Sequence, residues 1–244
     1  MIGDHTDSAT FWVAGVDGCR AGWIVMLAQA QGTALRRLQY RLCSHFREVL
    51  QLHPAPMAIA VDIPIGLLAR PRAGGRLCDQ QARRLLGRRA SSIFSPPSRA
   101  VLHATHYEQV RPYGMSRQAY GILPKIREVD GLMRPALQQT VYEAHPELAF
   151  MSLTGSPILA NKKTPDGRAA RLQALSQATP GFHRLQHVLT QATGTFKRTQ
   201  VAGDDLLDAG VLAWTACRIA SGRANRVPPH PGGDRHGLRM EIWF

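Results

Sequence analysis

The chain has 244 residues, enough to bury one substantial core, and its 30 Lys and Arg against 17 Asp and Glu give a formal charge of +13 and a pI near 10.6. That balance argues against polycationic partners and points to an anionic one, nucleic acid first and an anionic membrane surface second. The four cysteines stand far apart with no Cys-x-x-Cys pair, which excludes a zinc knuckle or a disulfide framework, and no apolar run approaches the roughly 18 residues needed to span a bilayer. A cytoplasmic protein that does not enter the membrane is expected.

Met1 to Thr10 is polar and acidic and reads as a frayed leader. Phe11 to Val16 then reads as a first strand, Gly18 to Gly22 as a turn, and Trp23 to Ala28 as a strand running back. Gln31-Gly32-Thr33 is a second turn and Leu35 to Leu42 a third strand, so the opening is an antiparallel meander. Ser44 can cap a short helix through Leu52, which His53-Pro54-Ala55-Pro56 breaks, and Met57 to Val61 is a fourth strand. A strand reached through a helix is most simply parallel to one already present, and a right-handed crossover sets it beside the first.

From Pro64 to Pro135 the pattern changes to helices broken by loops. A basic helix is expected over Asp79 to Arg89, a turn-rich loop over Ser91 to Arg99, and a longer helix over Ser116 to Met133 kinked at Pro124. Thr140 to Glu143 resumes the sheet, so residues of about 65–138 form an insertion over its edge and residues 11–244 a single domain. Lys162-Lys163 and Asp166-Gly167-Arg168 mark an exposed loop, Ala169 to Gln177 a short helix and Asp205 to Ser221 the last helix. Leu238 to Phe244 is a packed tail or small strand.

Three segments set acids beside ordered backbone. Val13-Ala14-Gly15-Val16-Asp17-Gly18 and Ala58-Ile59-Ala60-Val61-Asp62-Ile63-Pro64 are apolar runs ending in Asp, as buried strands delivering a carboxylate at their tips. In Asp204-Asp205-Leu206-Leu207-Asp208-Ala209, Asp205 and Asp208 share a helix face while Asp204 suits an N-cap. Ala209, Leu212, Ala213 and Ala216 continue along nearly the same face and allow close approach to the sheet. Taken singly, Asp17 and Asp62 could be turn residues and the helix acids could answer the dipole. Together they suggest a divalent metal, because several acids buried without a cation would each cost several kcal/mol.

The order of these segments resembles the ribonuclease H-like superfamily, particularly its Holliday-junction resolvase branch. Gly15-Val16-Asp17-Gly18-Cys19-Arg20-Ala21-Gly22-Trp23, Leu85 to Ser92, Ser116 to Ile126, Glu143-Ala144-His145-Pro146-Glu147 and Gly237 to Trp243 further resemble a family of predicted ribonuclease H-like nucleases, domain of unknown function 429. The resemblance implies an α/β fold. Its mixed five-stranded sheet combines a three-strand antiparallel meander with parallel strands, flanked by helices, with a helical insertion after the fourth strand. It implies Asp17 as a carboxylate bridging two metal ions, Asp62 as the fourth-strand acid, Asp205 and Asp208 as the pair on the closing helix, and Glu143 or Glu147 as a further acid. The fourth-strand position holds Asp where many resolvases have Glu, and the large insertion argues against inheriting RNA–DNA hybrid specificity.

The implied activity is hydrolysis of phosphodiester bonds in DNA or RNA with Mg²⁺ or Mn²⁺ held by Asp17, Asp62 and Asp208. Arg20, Arg88, Arg89, Arg99, Lys125, Arg127, Lys162 and Lys163 are candidate phosphate contacts, with a solvated surface as the plainer role for any one of them. His145 is the best histidine near the acids and could position water or substrate, although a His before Pro at a strand-to-helix junction is more often structural; His230, Asp234 and His236 could suggest a metal loop, but flanked by Gly and Pro they read as an exposed turn. Alternatives from other classes are a non-catalytic nucleic-acid-binding or scaffold protein, and an ATPase or kinase of the same superfold cradling phosphates at Asp17-Gly18.

Overall fold

The computed structural model describes residues 9–178 and 185–244. Of the expected leader, Met1 to Ser8 lie outside the described residues, and Thr10 already belongs to the first strand. β1 (Thr10–Cys19), β2 (Gly22–Gln31) and β3 (Ala34–Cys43) form an antiparallel meander. β4 (Ala58–Val61) pairs in parallel with β1, and β5 (Val141–Glu143) in parallel with β4, giving the order β3-β2-β1-β4-β5. This is the mixed five-stranded sheet expected from the sequence, with helices on its faces.

The first hairpin is longer and tighter than a turn at Gly18 would make it. Cys19 pairs with Gly22 and Gly18 with Trp23, so Asp17 and Gly18 lie inside β1 and only Arg20 and Ala21 turn. Gly22 has φ 138°, and a Cβ there would stand 2.2 Å from the Cys43 carbonyl oxygen, so the turn requires glycine. α1 (Phe46–Leu50) is shorter than expected and begins after His45 rather than Ser44; Glu128 accepts the Phe46 N–H at 2.6 Å.

The insertion carries α2 (Leu77–Leu86), a run of short 3₁₀ turns, α3 (Arg117–Gly121) and α4 (Leu123–Leu132). The single kinked helix expected over Ser116 to Met133 is two helices. Pro124 occupies the first turn of α4, where its missing N–H costs nothing, and its ring bars the helix from continuing through the preceding residues. Ser116 caps α3, its hydroxyl accepting the Ala119 N–H at 3.1 Å. After β5 come α5 (Pro146–Thr154), α6 (Pro165–Ala178), α7 (Leu185–Thr195) and α8 (Gly203–Ala220). α6 starts before the loop expected at Asp166-Gly167-Arg168, because the Thr164 hydroxyl accepts the Gly167 N–H at 3.1 Å and opens the helix there. A two-stranded ribbon, β6 (Arg226–Val227) and β7 (Ile242–Trp243), closes the chain, and Trp243 bridges to Ala144 beyond β5.

Strand alternation separates two cores. Val13, Ile24, Met26, Ala58 and Ala60 pack toward α8, whereas Ala14, Val16, Val25, Ile59 and Val61 pack toward α1, α4 and the insertion. α8 is buried along nearly its whole length, and each fully buried Leu or Val contributes about 1.5–3 kcal/mol. Its distance from the sheet is set by Gly15. A Cβ at that position would lie 2.1 Å from both the Ala209 carbonyl oxygen and the Ala213 nitrogen. The Tyr40 hydroxyl on β3 donates to the Leu206 carbonyl at 2.7 Å and holds the helix from the other side.

Candidate functional site

Side chains two apart on a strand share a face, so Asp17 follows Gly15 onto the α8 side, and Asp62 follows Ala60. Val16 pairs with Val61, and the Asp62 N–H donates to the Val16 carbonyl at 3.0 Å, which brings the two strand ends level. Because α8 rests on Gly15 through Ala209 and Ala213, Asp208, one residue before Ala209, is carried over the same sheet edge. Asp17 is 8% and Asp208 1% exposed, while Asp62 is half-buried and opens the group to solvent.

Burial and neighbouring charges disfavour the ionised form of each of these acids. Burial, then the charges of Asp208, Asp62 and Asp205, push the Asp17 carboxyl well above the usual range, with Lys162 opposing. Burial also raises Asp62, with His145 and Lys162 opposing and Glu147 adding to the rise. Asp208 is pushed up to about 7, by burial first and by Asp62 and Glu147 against the pull of Lys162. Burial raises Asp205, opposed by the Ala202 N–H that its Oδ2 accepts at 2.9 Å. That bond makes Asp205 the residue that closes the first turn of α8. The cap position belongs to Ala202, and Asp204 lies inside the helix rather than at the expected N-cap.

Two further acids separate sharply. Glu143 shares its strand face with Val141, on the insertion side of the sheet, opposite α8. There Arg76 grips it at 2.5 and 2.7 Å, Ile65 donates its N–H at 2.7 Å, and Asp79 binds the same guanidinium at 2.7 Å. Burial pushes Glu143 up to about 7 even though Arg76 pulls the other way. Glu147, on α5, lies on the acid side, and its charge acts on Asp62 and Asp208. Its carboxylate accepts from Arg171 at 2.7 and 3.0 Å and from Arg89 at 2.9 Å. His145 caps α5: Nδ1 accepts the Glu147 N–H at 3.2 Å, and Nε2 lies 3.3 Å from the Ser92 carbonyl, so both ring nitrogens face protein partners.

The basic residues also divide. Arg20, Arg88 and Lys163 are exposed. Lys125 is turned inward, its ammonium donating to the Gly22 carbonyl at 2.5 Å over the Trp23 ring, and Arg127 donates to the Leu102 and Ala104 carbonyls. Arg99 is buried between Asp130, at 2.7 Å, and Asp234. Asp234 therefore departs from the expected exposed turn. Its side chain is fully buried, Arg99 and the N–H groups of Leu67, His236 and Leu238 satisfy it, and these donors outweigh burial to hold its carboxyl low. Lys162 reaches Asp208, Nζ to Oδ2 at 2.5 Å. Sequence reasoning missed Arg76 and Arg171, since an arginine in a loop or on a short helix carries no local sign that it will be buried.

The donor chemistry suits a hard cation. The converging groups are carboxylates, and Asp208 Oδ1 is buried with no hydrogen-bond partner among the described residues. Among the described residues, however, no three His, Cys, Asp or Glu side chains already form a metal-binding group. α6, α7 and the start of α8 enclose a cavity of about 640 Å³, lined by Leu172, Leu189, Phe196 and Leu206 together with Lys163 and Arg168; Asp17, Asp62 and Asp208 do not line it. No helix among the described residues is long and apolar enough to cross a membrane.

Among solved structures, the chain is similar to T. thermophilus RuvC in complex with Holliday junction substrate, at 16% identity and a TM-score of 0.35, over 87% of this chain and 97% of that one. No curated protein matches it. The family model described as "Protein of unknown function (DUF429)" matches residues 15–232, which spans the meander, the acid-bearing strands and the closing helix, and the chain belongs to that family.

Proposed function

We propose that the chain is a divalent-metal-dependent nuclease that hydrolyses phosphodiester bonds of nucleic acid, DNA or RNA. What supports the reading is that Asp17 and Asp62 stand at the level ends of two adjacent parallel strands while α8, seated on Gly15, carries Asp208 toward the same edge, and burial disfavours the charged form of all three unless a cation is supplied. Asp17, Asp62 and Asp208 would hold Mg²⁺ or Mn²⁺, and Mg²⁺ in particular takes one or two carboxylates and completes its shell from water and substrate phosphate. A bound ion supplies Lewis-acid polarisation of the phosphate and a more acidic water.

The chain's own residues do the rest. Asp62, the most exposed of the three, faces arriving solvent and substrate. Asp205 fixes the first turn of α8 and so the height of Asp208 above the sheet. Arg20, Arg88 and Lys163, exposed and cationic, take backbone phosphates, which position a substrate without reading its sequence. An ATPase of the same superfold is less well supported, because the Gly18 N–H donates to its neighbour Asp17 at 2.8 Å and the Lys125 side chain fills the space beside Gly18. A non-catalytic nucleic-acid-binding protein is the second reading, favoured by the lack of a ready three-donor group among the described residues.

Cleavage of a panel of structured DNA and RNA, with and without Mn²⁺, decides between them. Asp17→Asn should abolish metal-dependent cleavage while leaving affinity for the same nucleic acids largely intact. Binding without cleavage by the unaltered protein would favour the non-catalytic reading.

A further inference from the structure

We infer that Lys162 is a resident counter-ion of the acid group, standing on Asp208 in place of a second divalent cation, so that the site takes one divalent ion per chain. The inference rests on the metal-site reading above and deepens it. Four observations carry it. The ammonium lies 2.5 Å from Asp208 Oδ2, and its charge also acts on Asp17 and Asp62, so one lysine serves three acids from two strands and a helix. Asp208 keeps its other oxygen, Oδ1, buried and unpartnered among the described residues, so with Oδ2 on Lys162 only Oδ1 is left to meet a cation. Of the two other acids nearby, Glu147 is neutralised by Arg89 and Arg171, and Asp205 is turned to the Ala202 N–H.

The fourth observation is that the loop presenting Lys162 is built to hold it. Asn161 Oδ1 accepts the Lys163 N–H at 3.0 Å, the Asn161 carbonyl accepts the Thr164 N–H at 3.0 Å and hydroxyl at 2.8 Å, and the Thr164 hydroxyl in turn opens α6. Gly167 lets that helix lie against the loop, since a Cβ there would stand 1.9 Å from the Asn161 carbonyl oxygen. Buried Arg171 ties the Ala160 carbonyl, at 3.0 Å, to Glu147. A lysine on a free surface loop would lose several rotatable bonds of freedom to make this contact; here its backbone is already fixed on both sides.

Charge closes the argument. The carboxylates of Asp17, Asp62 and Asp208 are balanced by one ammonium and one divalent cation, whereas a second divalent ion would leave these groups doubly positive; Asp205, on the Ala202 N–H, adds its negative charge from outside this set. Lys162 thus belongs inside the site and not with the exposed phosphate contacts, and the two-ion arrangement expected for resolvase-like chains is replaced by one ion and one lysine.

Mn²⁺ titration of the full chain, by calorimetry and by electron paramagnetic resonance, tests this without substrate. The unaltered protein should bind one Mn²⁺. Lys162→Met should bind two, or bind one about tenfold more tightly, with a larger Mn²⁺-induced rise in Tm, and Lys162→Arg should restore the original stoichiometry. Lys197→Met, a charge removed at an exposed position that, among the described residues, has no ion pair to these acids, should bind as the unaltered protein does. If Lys162→Met does not fold, Lys162→Gln carries the same expectation. Two Mn²⁺ in the unaltered protein, or binding by Lys162→Met (Lys162→Gln where that does not fold) that matches the unaltered protein, overturns the inference and leaves the nuclease reading standing. No Mn²⁺ bound by any of these proteins overturns both.

Discussion

Arg76 is 2% exposed and spends its guanidinium on Glu143, Asp79 and the carbonyls of Ile65 and Gly66. A buried arginine so surrounded is costly to desolvate, and its removal strands two buried carboxylates in a low-dielectric place. Arg76→Met should therefore cost about 3–5 kcal/mol of stability, read as a lower denaturation midpoint in urea. Glu143→Gln, which leaves Asp79 to hold the arginine, should cost clearly less. Equal losses from the two changes would show that Glu143 carries the cluster. Glu143 and Glu147, four residues apart, differ in role because one ends a strand facing the insertion and the other starts a helix facing Asp62 and Asp208.

The contact between β1 and α8 decides where the acids meet. Gly15 has an ordinary backbone conformation, so its value lies in the absent side chain and not in unusual torsion angles. Adding a methyl at that position must push Ala209 and Ala213 away from the strand, since backbone atoms 2.1 Å from a Cβ cannot yield as a flexible side chain would. Gly15→Ala should cost about 3 kcal/mol, at the upper end for overpacking. It should also lift Asp208 from Asp17, so that Mn²⁺ no longer raises Tm. A variant that melts as the unaltered protein does, with its Mn²⁺ response intact, would mean that α8 adjusts along its own axis and that the close approach does not set the site.

For the molecule as a whole, the formal charge of +13 is the term that reaches furthest from the site. The internal ion pairs do not draw it down, because Arg76, Arg99 and Arg171 are matched by the carboxylates of Asp79, Glu143, Asp130, Asp234 and Glu147, so the excess of basic groups lies outside them. The exposed remainder, with Arg20, Arg88 and Lys163 among it, is what a polyanion meets. Nucleic acid should bind with an affinity that falls about 10³-fold between 50 and 200 mM salt if six phosphates are neutralised, measured by fluorescence anisotropy. A flat salt response would leave the charge without an electrostatic partner.

The sequence by itself determined the order of the sheet. Apolar runs bounded by Gly and Pro, with a helix interposed before the fourth, admit few pairings other than a meander extended in parallel, and the small residues of the last helix showed which face would lie against the sheet. It also singled out Asp17, Asp62, Asp205 and Asp208 as acids on the elements that approach one another. Strand parity, the split of a helix at Pro124 and the opening of α6 at Thr164 lay partly within reach of local chemistry. What only the tertiary structure decided is the pairing of charges. Lys162 and Asp208 are 46 residues apart, Arg76 and Glu143 67, and Arg99 and Asp234 135. Such pairs leave no periodic trace in a chain, because an ion pair depends on where two side chains end in space and not on the spacing or hydrophobicity of the residues around them.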